Sequence, residues 1–117
     1  MGIQKDYKGA IIEESLIDNC LLNDLEITGL EITKEESPSE RWHIFKVRVS
    51  EEDINNLCKN INNKKWYMHF WKNKDIILCF QDKNFKFNWD DECVKSEIIK
   101  HGISLGIPKE QLAFTID

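Results

Sequence analysis

Apolar and polar residues alternate along much of this chain, and the places where the period changes mark out its elements. Over residues 41–49, His43, Phe45, Val47 and Val49 fall on one side and Trp42, Ile44, Lys46 and Arg48 on the other, the period of a strand. Residues 25–34 hold a short echo, Leu25-Glu-Ile-Thr28 and Leu30-Glu-Ile-Thr33, split by Gly29. A five-residue offset throws the second apolar pair onto the wrong face unless one residue bulges out, so the pattern predicts a long strand with a bulge at Gly29. Ser50 then stands as an N-cap before Glu51, Glu52 and Asp53, and Ile54, Leu57, Cys58 and Ile61 form a stripe, predicting an amphipathic helix over 51–62. Residues 65–72, 75–81 and 85–89 read as three strands joined by tight turns, an antiparallel meander.

The flanks are less regular. Residues 9–12 predict a first strand. Ser15 and Asp18 have capping-box spacing, which suggests a short helix or helical turn within 15–25. Asp90 caps a second helix whose inner face carries Val94, Ile98 and His101, with Gly102 as its left-handed stop and a final strand over 112–116. The expected architecture is one α+β domain over residues 1–117, an antiparallel sheet of about five or six strands with two main helices packed on one face.

Composition narrows the function classes. At 117 residues with 41% hydrophobic and 32% charged side chains, the chain fits one domain with a proper core. No apolar run approaches the roughly 18 residues of a membrane span, and the first residues lack a signal peptide's apolar core, so the expected compartment is the cytoplasm. Cys20, Cys58, Cys79 and Cys93 form no CxxC pair and lie far from His43, His69 and His101. They read as reduced residues, with Cys58 and Cys79 in packing roles and no metal site or cofactor expected. The net charge of −5 is uneven: residues 59–86 carry seven basic and two acidic side chains inside an otherwise acidic protein.

Residues 8–16 (Lys-Gly-Ala-Ile-Ile-Glu-Glu-Ser-Leu), Trp66-Tyr67 and residues 102–114 (Gly-Ile-Ser-Leu-Gly-Ile-Pro-Lys-Glu-Gln-Leu-Ala-Phe) resemble a family of small uncharacterised bacterial proteins. The resemblance implies a cytosolic single-domain protein of this size and brings no functional residues with it.

Candidate chemistry is sparse. Cys93 lies near a predicted helix start, a place that lowers a thiol pKa, but Asp90, Asp91 and Glu92 beside it oppose a thiolate. Adjacent acids such as Glu13-Glu14 and Asp90-Asp91 are explained by strand alternation or by helix dipoles. Ser104, between Gly102 and Gly106, matches neither a phosphate loop nor a nucleophile elbow. None of these supports an enzyme.

The stretch Trp66-Tyr-Met-His-Phe-Trp71 holds the functional promise. Trp66, Met68 and Phe70 are apolar and expected to face the helices, which leaves Tyr67, His69 and Trp71 outside with Trp42, Ile44, Lys46 and Arg48. Lys86 is expected to join them, because Phe85 and Phe87 point inward. Three uses of this aromatic and basic face compete. A non-enzymatic interaction surface, covered by a protein partner, a second copy or the N-terminal segment, comes first. A pocket for a small ligand or a small enzyme built around His69, His43 and the tryptophans comes second. A single-stranded nucleic-acid platform comes third, opposed by a pI of about 5.2.

Overall fold

In the computed structural model, which describes residues 5–114, six strands form a single antiparallel sheet. They are β1 (Tyr7–Ile12), β2 (Glu26–Ile32), β3 (His43–Val49), β4 (Tyr67–Lys72), β5 (Asp75–Phe80) and β6 (Asn84–Asn88), in the spatial order β2-β3-β1-β4-β5-β6. The α+β class and the antiparallel sheet are as the pattern predicts. β1, predicted only as a short first strand, is the central seam. It pairs with β3 along its whole length, from Tyr7 opposite Val49 to Ile12 opposite Ile44, and with β4 through Lys8–Trp71 and Gly9–Phe70. A Cβ on Gly9 would lie 2.4 Å from the Phe70 ring, so only glycine lets that ring cross the seam.

The two main helices are α1 (Glu51–Cys58) and α2 (Glu92–Ser104). They were expected on one face and occupy opposite faces. On the first, Ile54, Leu57 and Cys58 of α1 pack on Tyr7, Ile11, Val47, Val49, Met68, Phe70 and Cys79. On the second, Ile98 of α2 packs on Ile76, Leu78, Phe80, Phe85 and Phe87. The reason lies in β5: Asp75-Ile-Ile-Leu-Cys-Phe80 is apolar at consecutive positions, the mark of a strand covered on both sides. One layer of helices leaves half of those side chains in water.

Local details follow the capping chemistry. Ser50 accepts from the Asp53 N–H, and Asp53 reciprocally accepts from the Ser50 N–H, each at 3.1 Å. α1 ends at Cys58, short of the expected residue 62, and Ile61 leaves the helix to bridge Leu16. Asp91 caps α2, one residue later than expected, by accepting from the Val94 N–H. The left-handed stop is Gly106 (φ +91°) and not Gly102. Ile107 N–H donates to Gly102 O and Gly106 N–H to Ile103 O, the bond pair of a Schellman motif. Gly102 instead lies against Leu112, where a Cβ would come within 2.6 Å of the leucine methyl. Residues 13–24 hold two short 3₁₀ turns, Glu13–Ser15 and Asn19–Asp24, the second capped by Asp18 and not by Ser15. Lys109–Leu112 is a 3₁₀ turn, Ala113 and Phe114 carry no regular structure, and the rest of the expected last strand lies outside the described residues.

β2 carries the expected bulge: Ile27 opposes Val47 and Gly29 opposes Lys46, with Thr28 the extra residue. Cys58 and Cys79, expected as reduced thiols, form a disulfide with a Cα–Cα distance of 5.7 Å. The stripe of α1 sets Cys58 over the inward position of β5, a juxtaposition that a separation of 21 residues conceals. No helix among the described residues is long and apolar enough to cross a membrane.

Candidate functional site

Register decides which of the nominated residues meet. Ala10 pairs with Lys46, Lys8 with both Arg48 and Trp71, Trp71 with Ile76, and His69 with Leu78, so all these side chains share the face that carries α2. Lys46, Arg48, Tyr67, His69 and Trp71 therefore do share a face, and Trp42, just ahead of β3, borders it. That face is not bare. α2 and residues 105–114 cover the half built by β4, β5 and β6. The N-terminal segment was one of the covers expected for this face; its described part, Tyr7–Ile12, is a strand inside the sheet, and residues 105–114 take a covering role.

Lys86 is the exception. It pairs with Ile77 on the other face, and its Nζ lies 3.6 Å from Glu51 Oε1 of α1. Phe85 and Phe87 do point inward, but toward α2, which turns Lys86 toward α1. His43 also parts from His69. It shares the α1 face with Phe45 and Val47, and its Nδ1 lies 2.9 Å from Glu14 Oε2. The two histidines do not converge.

At the border between the open and covered halves is a basin of about 310 Å³ lined by Ala10, Ile12, Trp42, Ile44, Lys65, Trp66, Tyr67, His69 and Gln111. Trp42 and Trp66 form its end wall, edge to face at 5.1 Å between centroids. His69 stacks on Trp71 with an interplanar angle of 22° and lies 5.0 Å from the Phe114 ring. The Tyr67 hydroxyl donates to Gln111 O, tying the C-terminal segment to β4. Burial raises the Tyr67 pKa to about 12, so the phenol stays protonated as donor at any physiological pH. The floor is aliphatic, and Lys65 and Gln111 supply polar groups at the rim. Lys65 Cε lies 3.4 Å from where a Cβ on Gly106 would be, an ordinary contact distance, so it is the positive φ that calls for glycine at this position.

Sequence reasoning missed Lys65 and Gln111; Trp66, expected to face the helices, does pack against the α1 core and also lines the basin. Ala10 and Ile12 were missed as well, although their alternation with Gly9 and Ile11 contains the signal once β1 is known to be central. On the open half, Lys8, Lys46 and Arg48 form an exposed basic strip beside the basin.

Two further polar clusters stand elsewhere. Glu13, Glu14 and His43 place three donor atoms within 4.8 Å of one another. Glu14 accepts from both the His43 backbone and its ring, while Glu13 accepts from Asn19 at 2.8 Å. Hydrogen bonding to Glu14 raises the His43 pKa. Partial burial of Glu14 disfavours its charge, but the bonds from the His43 ring and backbone outweigh this and hold the carboxyl below its ordinary value. His101 lies edge-on to Phe80 and Phe85 and meets Asp82 at 2.9 Å, a bond that lowers the Asp82 pKa. Each cluster is accounted for as a histidine–carboxylate contact that fastens one segment to another. Cys93 is exposed at the start of α2.

No protein-family model matches the chain, and no characterised protein or solved structure is significantly similar to it. The chemistry of the site therefore rests on its own residues.

Proposed function

We propose that this protein is a non-enzymatic binding protein whose basin takes a small, flat, largely apolar ligand bearing one anionic group. The carrying observation is the basin itself: aliphatic floor, two tryptophans and a tyrosine as walls, and a lysine at the rim. Pockets of about 300–1,000 Å³ with mostly apolar walls and a few polar groups are the usual form of small-ligand sites. Trp42 and Trp66 offer faces and edges for stacking, and Lys65 supplies the charge that orients an anion. Among the described residues, no serine, threonine or cysteine lines the basin beside His69 to serve as a nucleophile, and Tyr67 is a protonated donor already engaged with Gln111.

A test uses 1-anilinonaphthalene-8-sulfonate, an aromatic body with one sulfonate. The folded protein should bind one molecule per chain with enhanced dye fluorescence. Trp42→Ala should weaken binding about tenfold, the loss of one stacking contact of about 1–1.5 kcal/mol, and Lys65→Ala should weaken it severalfold. Trp42 is only partly buried, so the variant is expected to keep its circular dichroism. Binding that survives Trp42→Ala unchanged overturns the assignment.

A second use of the same face has its own support. Lys8, Lys46 and Arg48 lie side by side across β1 and β3 and are all exposed. This strip fits an acidic partner docking beside the basin, with the strength of attachment falling as salt rises.

A further inference from the structure

β2 is an edge strand: it pairs with β3 on one side and, among the described residues, with no strand on the other. Edge strands usually carry charges or proline that block a further strand. β2 carries Glu26 and Glu31, but both lie on one face, and it exposes three large apolar side chains, Ile27 (44%), Leu30 (55%) and Ile32 (47%). The bulge brings all three onto one face. Ile27 opposes Val47, Leu30 opposes Phe45 and Ile32 opposes His43, whereas Glu26, Gly29 and Glu31 oppose Arg48, Lys46 and Ile44 on the other. The apolar row extends the α1 face beyond the area that α1 covers.

The order of residues along this edge is self-complementary. Skipping the bulged Thr28, successive ladder positions read Glu26, Ile27, Gly29, Leu30, Glu31, Ile32, Thr33. Turned about a two-fold axis through Leu30, the row lies on its own copy with Leu30 facing Leu30 and Ile27 facing Ile32. On the opposite face Glu31 meets Gly29 and Glu26 meets Thr33, so no carboxylate opposes a carboxylate. The short echo around Gly29 produces this match: it places an isoleucine at equal ladder distance on either side of Leu30. Without the bulge, Ile27 would fall on the glutamate face and the match would fail.

We propose that β2 is a homodimerisation edge, pairing antiparallel with β2 of a second copy in the Leu30–Leu30 register to join two six-stranded sheets into one. Backbone hydrogen bonds along the edge supply the attachment, and the three apolar pairs set the register. This surface is separate from the basin, and neither proposal depends on the other.

Sedimentation velocity over a hundredfold range of concentration tests it. The unmodified chain should move from one to two chains in mass as concentration rises. Leu30→Lys should stay monomeric throughout with unchanged circular dichroism, since the side chain it replaces is mostly exposed. The register is tested by Leu30→Cys in a background of Cys20→Ser and Cys93→Ser. Mild oxidation should give a covalent dimer, and Glu26→Cys in the same background should give none. Amide exchange in the unmodified chain should slow over residues 26–32 as concentration rises. A monomer at every concentration overturns the proposal, as does a dimer that persists in Leu30→Lys or leaves exchange over 26–32 unchanged.

Discussion

Single residues carry most of the chemistry that alternation could not assign. Gly9 is one: its missing side chain admits the Phe70 ring, a requirement visible only once β1 is set beside β4. The His43–Glu14 pair is another, and it leads to a pH prediction. Glu14's lowered pKa means that its contribution to stability is present above the unfolded carboxyl value, near 4.5, and is lost as pH falls through the folded one. His43's raised pKa means that its contribution is complete below the unfolded imidazole value, near 6.5, and is lost as pH rises through the folded one. The pair therefore holds residues 13–14 to the start of β3 most firmly between about pH 4.5 and 6.5. In a titration followed by the His43 ring proton resonances, Glu14→Gln should bring the midpoint down toward 6.5. A midpoint that does not move would show that the pair does not form in solution.

Among elements, α1 was the most legible, and its fate shows where legibility ended. Ser50, the acidic first turn and the apolar stripe announce it; Ser50 caps it as the sequence suggests, and Asp53 completes a capping box that the sequence reading did not include. The stripe extends to Ile61, but the helix stops at Cys58 because Ile61 is drawn off to bridge Leu16, and Asn62 donates to the carbonyls of Glu14 and Leu16. Spacing along a helix does not reveal such a competing partner. The Cys58–Cys79 bond that ties α1 to β5 was equally hidden, and it pulls against the cytoplasmic expectation, because disulfides persist mainly in oxidising compartments. Thiol titration of the unreduced, denatured chain should find Cys20 and Cys93 only, with Cys58 and Cys79 joining after reduction. Reduction should lower stability by about 3 kcal/mol, the loop-closure value for a span of 21 residues. Four reactive thiols before reduction would restore the reading of all four cysteines as reduced.

At the scale of the whole molecule, β4 and β5 belong to two cores at once. Phe70 and Cys79 lie in the α1 layer, and Ile76, Leu78 and Phe80 in the α2 layer. The layers are therefore expected to unfold together. Phe70→Ala should cost about 3–5 kcal/mol and shift one cooperative thermal transition, detected alike by near-ultraviolet dichroism and calorimetry. A transition that splits in two would mean that the layers fold independently. The aromatic and basic face was legible in part. Trp42, Lys46, Arg48, Tyr67, His69 and Trp71 gather as their alternation requires, because side chains on paired strands must share a face. Lys86 was misplaced because sequence periodicity tells which residues go together but not which side they go to, and a second helix layer reversed the side. What the sequence determined by itself was local: the strands, the bulge that keeps Ile27 and Leu30 in phase, and the cap that starts α1. Tertiary structure alone decided the central place of β1, the division of the helices between two faces, the disulfide, and the basin. These depend on pairing across long separations, where many partners satisfy the same local pattern and only simultaneous packing of both faces selects one.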